Sequence, residues 1–260
     1  MIITITNQKG GVGKSTTAQT LAIGLAQRGK KVLLVDLDPQ CNTSNTFKVN
    51  QAPNNIYNVL KDECNISDAI YTNQVIDLIS SSYNLAQAEQ DFNDSKYQFI
   101  KYKLLKMQLD KIKDRYDYII IDTAPNLSLL TTNAMYSSDY VLIPMIADTY
   151  SIQGLNVIKD QVHYIKEGTD NKDLKISGLL LTHFKGQTLI NKGLRDALND
   201  IANQINTKVY KSVIRDSVIF SDSQASNSVC LIRYPNHNAT LDYINFIDEF
   251  LKDMEVNKNE

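Results

Sequence analysis

The chain contains no tryptophan and only three cysteines, three histidines and five prolines in 260 residues. Cys41, Cys64 and Cys230 are odd in number and show no C-x-x-C spacing. That excludes a disulfide framework and a cysteine zinc site, and reduced thiols in a cytosolic protein are expected. His163, His183 and His237 are scattered, so no metal cluster is read from them. No apolar run approaches the ~20 residues of a membrane span. The apolar stretch starts at residue 2, so neither a signal peptide nor an N-terminal helix-turn-helix is expected. Charge of neither sign prevails: the net is −2, so the chain is not a polycation. Any contact with nucleic acid must come from a local patch. Glycine is sparse at ten residues, yet Gly10, Gly11 and Gly13 fall almost together.

What is present suits one large α/β domain over residues 1–260, with 43% hydrophobic residues for its core. The rest is organised around residues 8–16, Gln-Lys-Gly-Gly-Val-Gly-Lys-Ser-Thr. An apolar run at 2–6 reads as a buried strand before it, and 18–27 reads as a helix after it. Strand, glycine loop and helix are the context of a phosphate-binding loop. Gly10, Gly11 and Gly13 let backbone N–H groups turn inward, toward anionic oxygens at the helix N-terminus. Lys14 is placed to reach the β- and γ-phosphates of a nucleotide, and the Ser15 hydroxyl to ligate Mg²⁺. The loop departs from the ordinary P-loop: Gln8 stands where glycine is usual, and a second lysine, Lys9, follows. Lys9, Gly10, Gly11, Val12, Gly13, Lys14, Ser15 and Thr16 together form the deviant Walker A motif.

Further strands are expected at 31–36, 75–79, 116–122, 139–144, 176–182 and 208–214, with Pro144 breaking the fourth of them. Helices are expected at 56–60, 67–70, 85–92, 97–114, 128–136, 152–166, 188–205, 218–225 and 241–254. Residues 41–55 are polar and read as loop. The alternation argues a doubly wound, mostly parallel sheet with helices on both faces. Asp38 follows the strand at 31–36, at the carboxyl end where such sheets bind ligands. Asp122 ends the strand at 116–122 as a Walker B carboxylate, holding the Mg²⁺ shell directly or through water. Residues 123–126 read as a switch turn that senses the γ-phosphate. Seven cations between 96 and 115 read as a solvated face.

Three blocks, at 9–16, 35–40 and 118–123, resemble the ParA-type ATPases, the deviant Walker A group that also includes MinD. Stretches at 133–144 and 214–218 extend the resemblance over essentially the whole chain. It is similar to the small ParA and chromosomal Soj classes, which lack an autorepressor domain. The resemblance implies an ATP-dependent homodimer that binds DNA nonspecifically, moves replicon cargo and answers to a ParB-type centromere-binding protein. It implies a cytoplasmic, nucleoid-associated protein using ATP and Mg²⁺. Lys9 matches the signature lysine that reaches the partner's phosphates. Asp38 matches the aspartate that positions the attacking water, and Asp36 would support Mg²⁺ or the loop. The adenine pocket would come from the loops after 176–182 and near 214–216. Cys41 and Asn227 stand where glycine is common in this family, and Ala124 where proline is.

Residues 175–215 carry seven basic side chains against two acidic ones, a local +5. Lys185, Lys192, Arg195, Lys208, Lys211 and Arg215 are the candidate contacts to DNA phosphates. A membrane-seeking C-terminal helix would need a basic polar face. Residues 242–260 instead carry six acidic against two basic side chains. An iron–sulfur reductase lacks its cysteine spacing here, and an amidotransferase-type synthetase is expected to need a longer chain. The alternatives are an ATPase of the same family that positions a different cargo, and a non-enzymatic ATP-gated scaffold with negligible turnover.

Overall fold

A computed structural model describes residues 1–185 and 189–257, without the side chains of 149–153, 189–195, 197 and 257. In chain order the N-terminal half comprises β1 (Ile2–Ile5), α1 (Lys14–Gln27), β2 (Val32–Leu37), α2 (Asn42–Thr46), α3 (Ile56–Leu60), β3 (Ile70–Thr72), β4 (Asp77–Ile79), α4 (Ala88–Asp91) and α5 (Leu104–Leu109). The C-terminal half continues with β5 (Tyr118–Thr123), α6 (Leu129–Ser137), β6 (Tyr140–Ile146), α7 (Thr149–Gly168), β7 (Lys175–Phe184), α8 (Leu189–Gln204), β8 (Val209–Arg215), α9 (Val218–Ala225), α10 (Cys230–Arg233) and α11 (Asn238–Asn257). The strands form one sheet in the order β3-β4-β2-β5-β1-β6-β7-β8. All pairs are parallel except β3 with β4.

Successive side chains of a strand point to opposite faces, so a sheet covered on both sides needs strands apolar at every position. Strand β5 shows the result. Ile120 enters one core with α1, α10 and α11, while Ile119 and Ile121 enter the other with α3 to α6. Beyond β6 the second face is covered by α7 and α8, which pack on Val141, Ile143, Leu179 and Leu181. Each such side chain, fully buried, contributes about 1.5–3 kcal/mol.

Several expectations differ from the structure. The helix expected over 97–114 is α-helical only at Leu104–Leu109, with three-ten turns at Ser95–Tyr97 and Lys113–Arg115. The reason is Asn133. Its Oδ1 accepts from Leu105 N at 3.2 Å, and its Nδ2 donates to Lys101 O at 2.6 Å. A foreign amide thus occupies the donor and acceptor that a helix would join directly. The apolar positions 104, 105, 109 and 112 are still buried, so the pattern located a packed segment but not its backbone. The stretch 41–55 holds the helix α2, because Ser44 N and Oγ both donate to buried Asp36 Oδ2, at 2.7 and 2.6 Å. Strand β3 was not expected; it pairs with β4 through a turn in which Asn73 Oδ1 accepts from Val75 N and Ile76 N.

Pro144 does not break β6, which runs on to Ile146 beside β7. Leu142 O still accepts from Thr6 N, but two residues later Pro144 O accepts from the Asn7 side chain. The edge that proline leaves without a donor therefore faces the loop after β1, where no ladder bond is required.

Candidate functional site

Strands β1, β2 and β5 end side by side, with Asp122 in register with Ile5 on one flank and Asp36 on the other. The chain leaving β1 turns through Gly11 and Gly13, whose φ values are 72° and 80°. A side chain with a Cβ pays about 1 kcal/mol or more in that left-handed region. Gly13 is also the N-cap of α1 and offers no side chain to its first N–H groups. Those donors, at the positive end of the helix dipole, are open to an anion. Asn7 braces the loop, accepting from Lys9 N at 3.0 Å while donating to Pro144 O at 2.8 Å. From β7, Thr182 Oγ1 donates to Val12 O at 2.9 Å, and the Val12 side chain is buried.

Gly10, Gly11, Gly13, Lys14, Ser15, Thr16 and Asp38 line a cavity of about 350 Å³. Its far wall comes from the ends of β7 and β8 and from α9, including His183, Ile214, Phe220 and Gln224. The loops expected to flank a base therefore do border the same cavity as the glycine loop. Lys14 Nζ donates to Lys9 O at 3.0 Å. Burial lowers its pKa, and the charges of Asp122 and Asp38 act against that.

The carboxylates behind the loop form a strained electrostatic group. Asp36 and Asp122 are fully buried on adjacent strands. Burial, and then the charge of Asp122, pushes Asp36 up to about 7. Burial likewise pushes Asp122 up to about 6; the Thr43 and Ser15 hydroxyls oppose this, Asp38 adds to it, and Lys14 opposes it. Asp122 Oδ2 accepts from Thr43 Oγ1 at 2.7 Å, which in turn accepts from Gln19 Nε2 at 2.9 Å. Asp122 Oδ1 is buried and closes no hydrogen bond, although the Ser15 hydroxyl is near enough to favour its charge. A buried orphan oxygen beside a hydroxyl, among excess negative charge, fits a divalent cation. Among the described residues no three His, Cys, Asp or Glu side chains form a metal cage. Mg²⁺ takes one or two protein ligands and completes its shell with phosphate and water, so the Ser15 hydroxyl and Asp122 could hold it.

Asp38 is held by its neighbours. Its N donates to Asp36 Oδ1 at 3.2 Å, its Oδ1 accepts from Gln40 N at 2.9 Å, and its carbonyl accepts from Ser81 Oγ at 2.6 Å. Cys41 follows at φ 54°, and Asn227 lies at φ 48°. Both positions thus sit where glycine is unstrained. Lys9 does not line the cavity: its Nζ forms an ion pair with Asp148, at the end of β6 just before α7. Thr43, Gln19 and Asp148 escaped the motif reading: Thr43 and Asp148 lie far from the loop in sequence, and Gln19, on α1, meets Thr43 only through the fold. Asp36, two residues before Asp38, stands where the resemblance expected it, beside the loop and Asp122.

The basic stretch is less free than its composition suggests. Lys208 pairs with Asp253, Arg215 with Asp242, and Lys185 with Asp216 at 3.6 Å. Arg215 also borders the cavity. The Lys192 and Arg195 side chains lie outside the described residues.

A family model described as an AAA domain matches residues 1–176. Sporulation initiation inhibitor protein Soj of Bacillus subtilis is 36% identical over 252 residues, 95% of this chain and 97% of that one. A solved structure of a putative plasmid partition protein from Borrelia burgdorferi bound to AMPPNP aligns with TM-score 0.77 and 30% identity, over 98% of both chains. A cobyrinic acid a,c-diamide synthase from Mycobacterium smegmatis with bound ADP and magnesium aligns with TM-score 0.81 and 27% identity, over 98% of this chain and 95% of that one. Length alone therefore does not separate a partition protein from an amide-forming enzyme.

Proposed function

Because this chain belongs to the ParA and MinD family of ATPases, we propose that it is a partition ATPase whose ATP-bound homodimer binds DNA irrespective of sequence and releases it on hydrolysis. The observation that carries the reading is the meeting of an anion-binding loop with the buried, unsatisfied oxygen of Asp122 at one end of the sheet. ATP and Mg²⁺ are the cofactors this pairing suits. Lys14 and the loop N–H groups bind the β- and γ-phosphates. Ser15 and Asp122, directly or through water, would hold Mg²⁺, which would offset the phosphate charge. Asp38, on the cavity wall, orients the attacking water as general base or hydrogen-bond acceptor.

Lys9 is the residue for the partner's nucleotide. In this chain alone it rests on Asp148, with both side chains about one-third exposed. Such a pair is worth only about 0–1 kcal/mol, so a partner's phosphates can take the lysine over. A cation delivered across an interface then stabilises charge in the transition state, as an arginine finger does. The same logic gives a ParB-type DNA-binding partner a means of stimulating turnover. A membrane-bound working state is disfavoured: Tyr243, Phe246, Phe250 and Met254 place the apolar face of α11 in the core. Among the described residues no helix is long and apolar enough to cross a membrane. A partition ATPase of this kind would work in the cytoplasm, on the nucleoid.

The experiment compares parent and Lys9→Ala for binding of a fluorescent ATP analogue, phosphate release, and filter retention of unrelated duplexes with ATP, ADP or no nucleotide. The parent should retain every duplex only with ATP; Lys9→Ala should bind nucleotide and lose turnover. Equal retention in all three nucleotide states would sink the DNA switch. A variant with parental turnover would remove Lys9 from the chemistry.

A further inference from the structure

Strand β8 is the open edge of the sheet, and α11 lies along it. Three carboxylates of α11 engage this edge. Glu249 accepts from Lys211 N, Ser212 N and Ser212 Oγ at 2.7–2.9 Å. Asp242 accepts from Arg215 N at 3.1 Å and from its guanidinium through Nε at 2.6 Å and Nη2 at 2.8 Å. Asp253 pairs with Lys208 just before the strand. Spaced 7 and 4 residues apart, the three acids share one helix face and form a row about 16 Å long.

We infer that β8 and its flank form a cationic face for the phosphate backbone of duplex DNA, and that the carboxylate row of α11 already occupies it. This rests on the DNA-binding reading above and adds its regulation. A carboxylate oxygen makes the same charge-assisted bonds to ammonium and guanidinium as a phosphate oxygen does. While the row is in place, Lys208 and Arg215 neutralise no DNA phosphate, so the salt slope reflects only the remaining cations. With α11 held in the core by Phe246 and Phe250, rotation of the Asp253 and Asp242 side chains away from Lys208 and Arg215 is enough to free two more cations per protomer. Arg215 also borders the nucleotide cavity, so the row touches the site that changes state with ATP.

The pair Lys208 and Asp253 tests this, since neither residue borders the cavity. Binding of an unrelated duplex is measured with ATP across a salt series for the parent, Asp253→Asn, Lys208→Gln and the double variant. Thermal melting and ATP-analogue binding serve as controls of folding. Asp253→Asn should tighten binding several-fold at low salt and steepen the slope by about one phosphate per protomer. Lys208→Gln alone should match the parent, because its lysine is already occupied, and this holds whether or not Asp253→Asn folds. In the double variant the gain should vanish. A gain that persists without Lys208 would be a general field effect and would overturn the inference, as would weakened binding by Lys208→Gln alone. If parent and Asp253→Asn bind ATP but neither binds duplex, the DNA-binding reading itself fails.

Discussion

Stability of the nucleotide-free protein should fall as pH rises from about 5 to about 7. The perturbation is the ionisation of two buried carboxyls that share one end of the sheet. Asp36 is pushed up to about 7 and Asp122 to about 6, from an ordinary 3.8, chiefly by burial. An unfolded chain has already released these protons at pH 5, whereas the folded chain still holds them. The stabilisation is therefore full below the unfolded value and is lost as pH climbs through the folded ones. The slope is about 1.4 kcal/mol per pH unit for each proton retained. Taking one proton for the adjacent pair, the loss between about pH 5 and about pH 7 is about 2 kcal/mol. In a chain of this size that lowers Tm by about 5 °C. Asp36→Asn removes the higher of the two titrations: an asparagine oxygen can still accept from Ser44, while Asp122 keeps its own, pushed up to about 6 by burial. Thermal melts of parent and variant are compared across this range, and the parent should lose stability relative to Asp36→Asn as pH rises. Saturating Mg²⁺ and ATP should flatten the difference, because the bound cation favours both ionised forms. Parallel curves in the nucleotide-free state would refute the prediction, showing that Asp36 is already ionised at pH 5.

Lys14→Ala should weaken ATP-analogue binding by a hundredfold or more on the order of 3 kcal/mol, the scale of a lost charge-assisted contact; unchanged titration would remove the phosphate assignment. Asp38→Ala should keep ATP and hold a persistent dimer in size-exclusion chromatography, because chemistry slows while phosphate contacts remain. Hydrolysis at the parental rate would show that Asp38 positions no water. Gly178→Ala should cost about 1–3 kcal/mol and lower Tm without changing ATP affinity. A Cβ there would lie 2.4 Å from Cε2 of buried Tyr210, whose ring is wedged against Phe246; a melt within a degree or so of the parent would show that the ring can move.

The parts of the site legible in the sequence are those fixed by local chain geometry. Glycines at 11 and 13 meet positive φ, Lys14 opens the helix, and each of the β2 and β5 runs delivers an aspartate to the same end of the sheet. Burial on both faces made the strands readable, since a short run apolar at every position has few other uses. Where a backbone bond is intercepted by a distant side chain, the local pattern misled. Nothing within 97–114 reveals that Asn133 will bridge Lys101 and Leu105. Pro144 was read as a break because the sequence does not show that β1 ends before reaching it.

Charge is the extreme case of the same limit. A segment sum over 175–215 gives +5, but it counts only charges that are near in sequence. The acids that meet Lys208 and Arg215 lie on α11, and the counterion of Lys9 lies 139 residues away. Tertiary ion pairing therefore decides how many cations are free for phosphate, and it does so on two surfaces with different consequences. At Lys9 the pairing keeps the ammonium on Asp148, off the lining of the cavity beside the glycine loop. On β8 it covers an edge strand that would otherwise pair with another chain, while keeping cations in place for a polyanion. The Lys9–Asp148 and Lys208–Asp253 pairs are partly exposed at both ends and worth only about 0–1 kcal/mol each, so they yield to phosphate, whereas Asp242, 12% exposed, holds Arg215 more firmly.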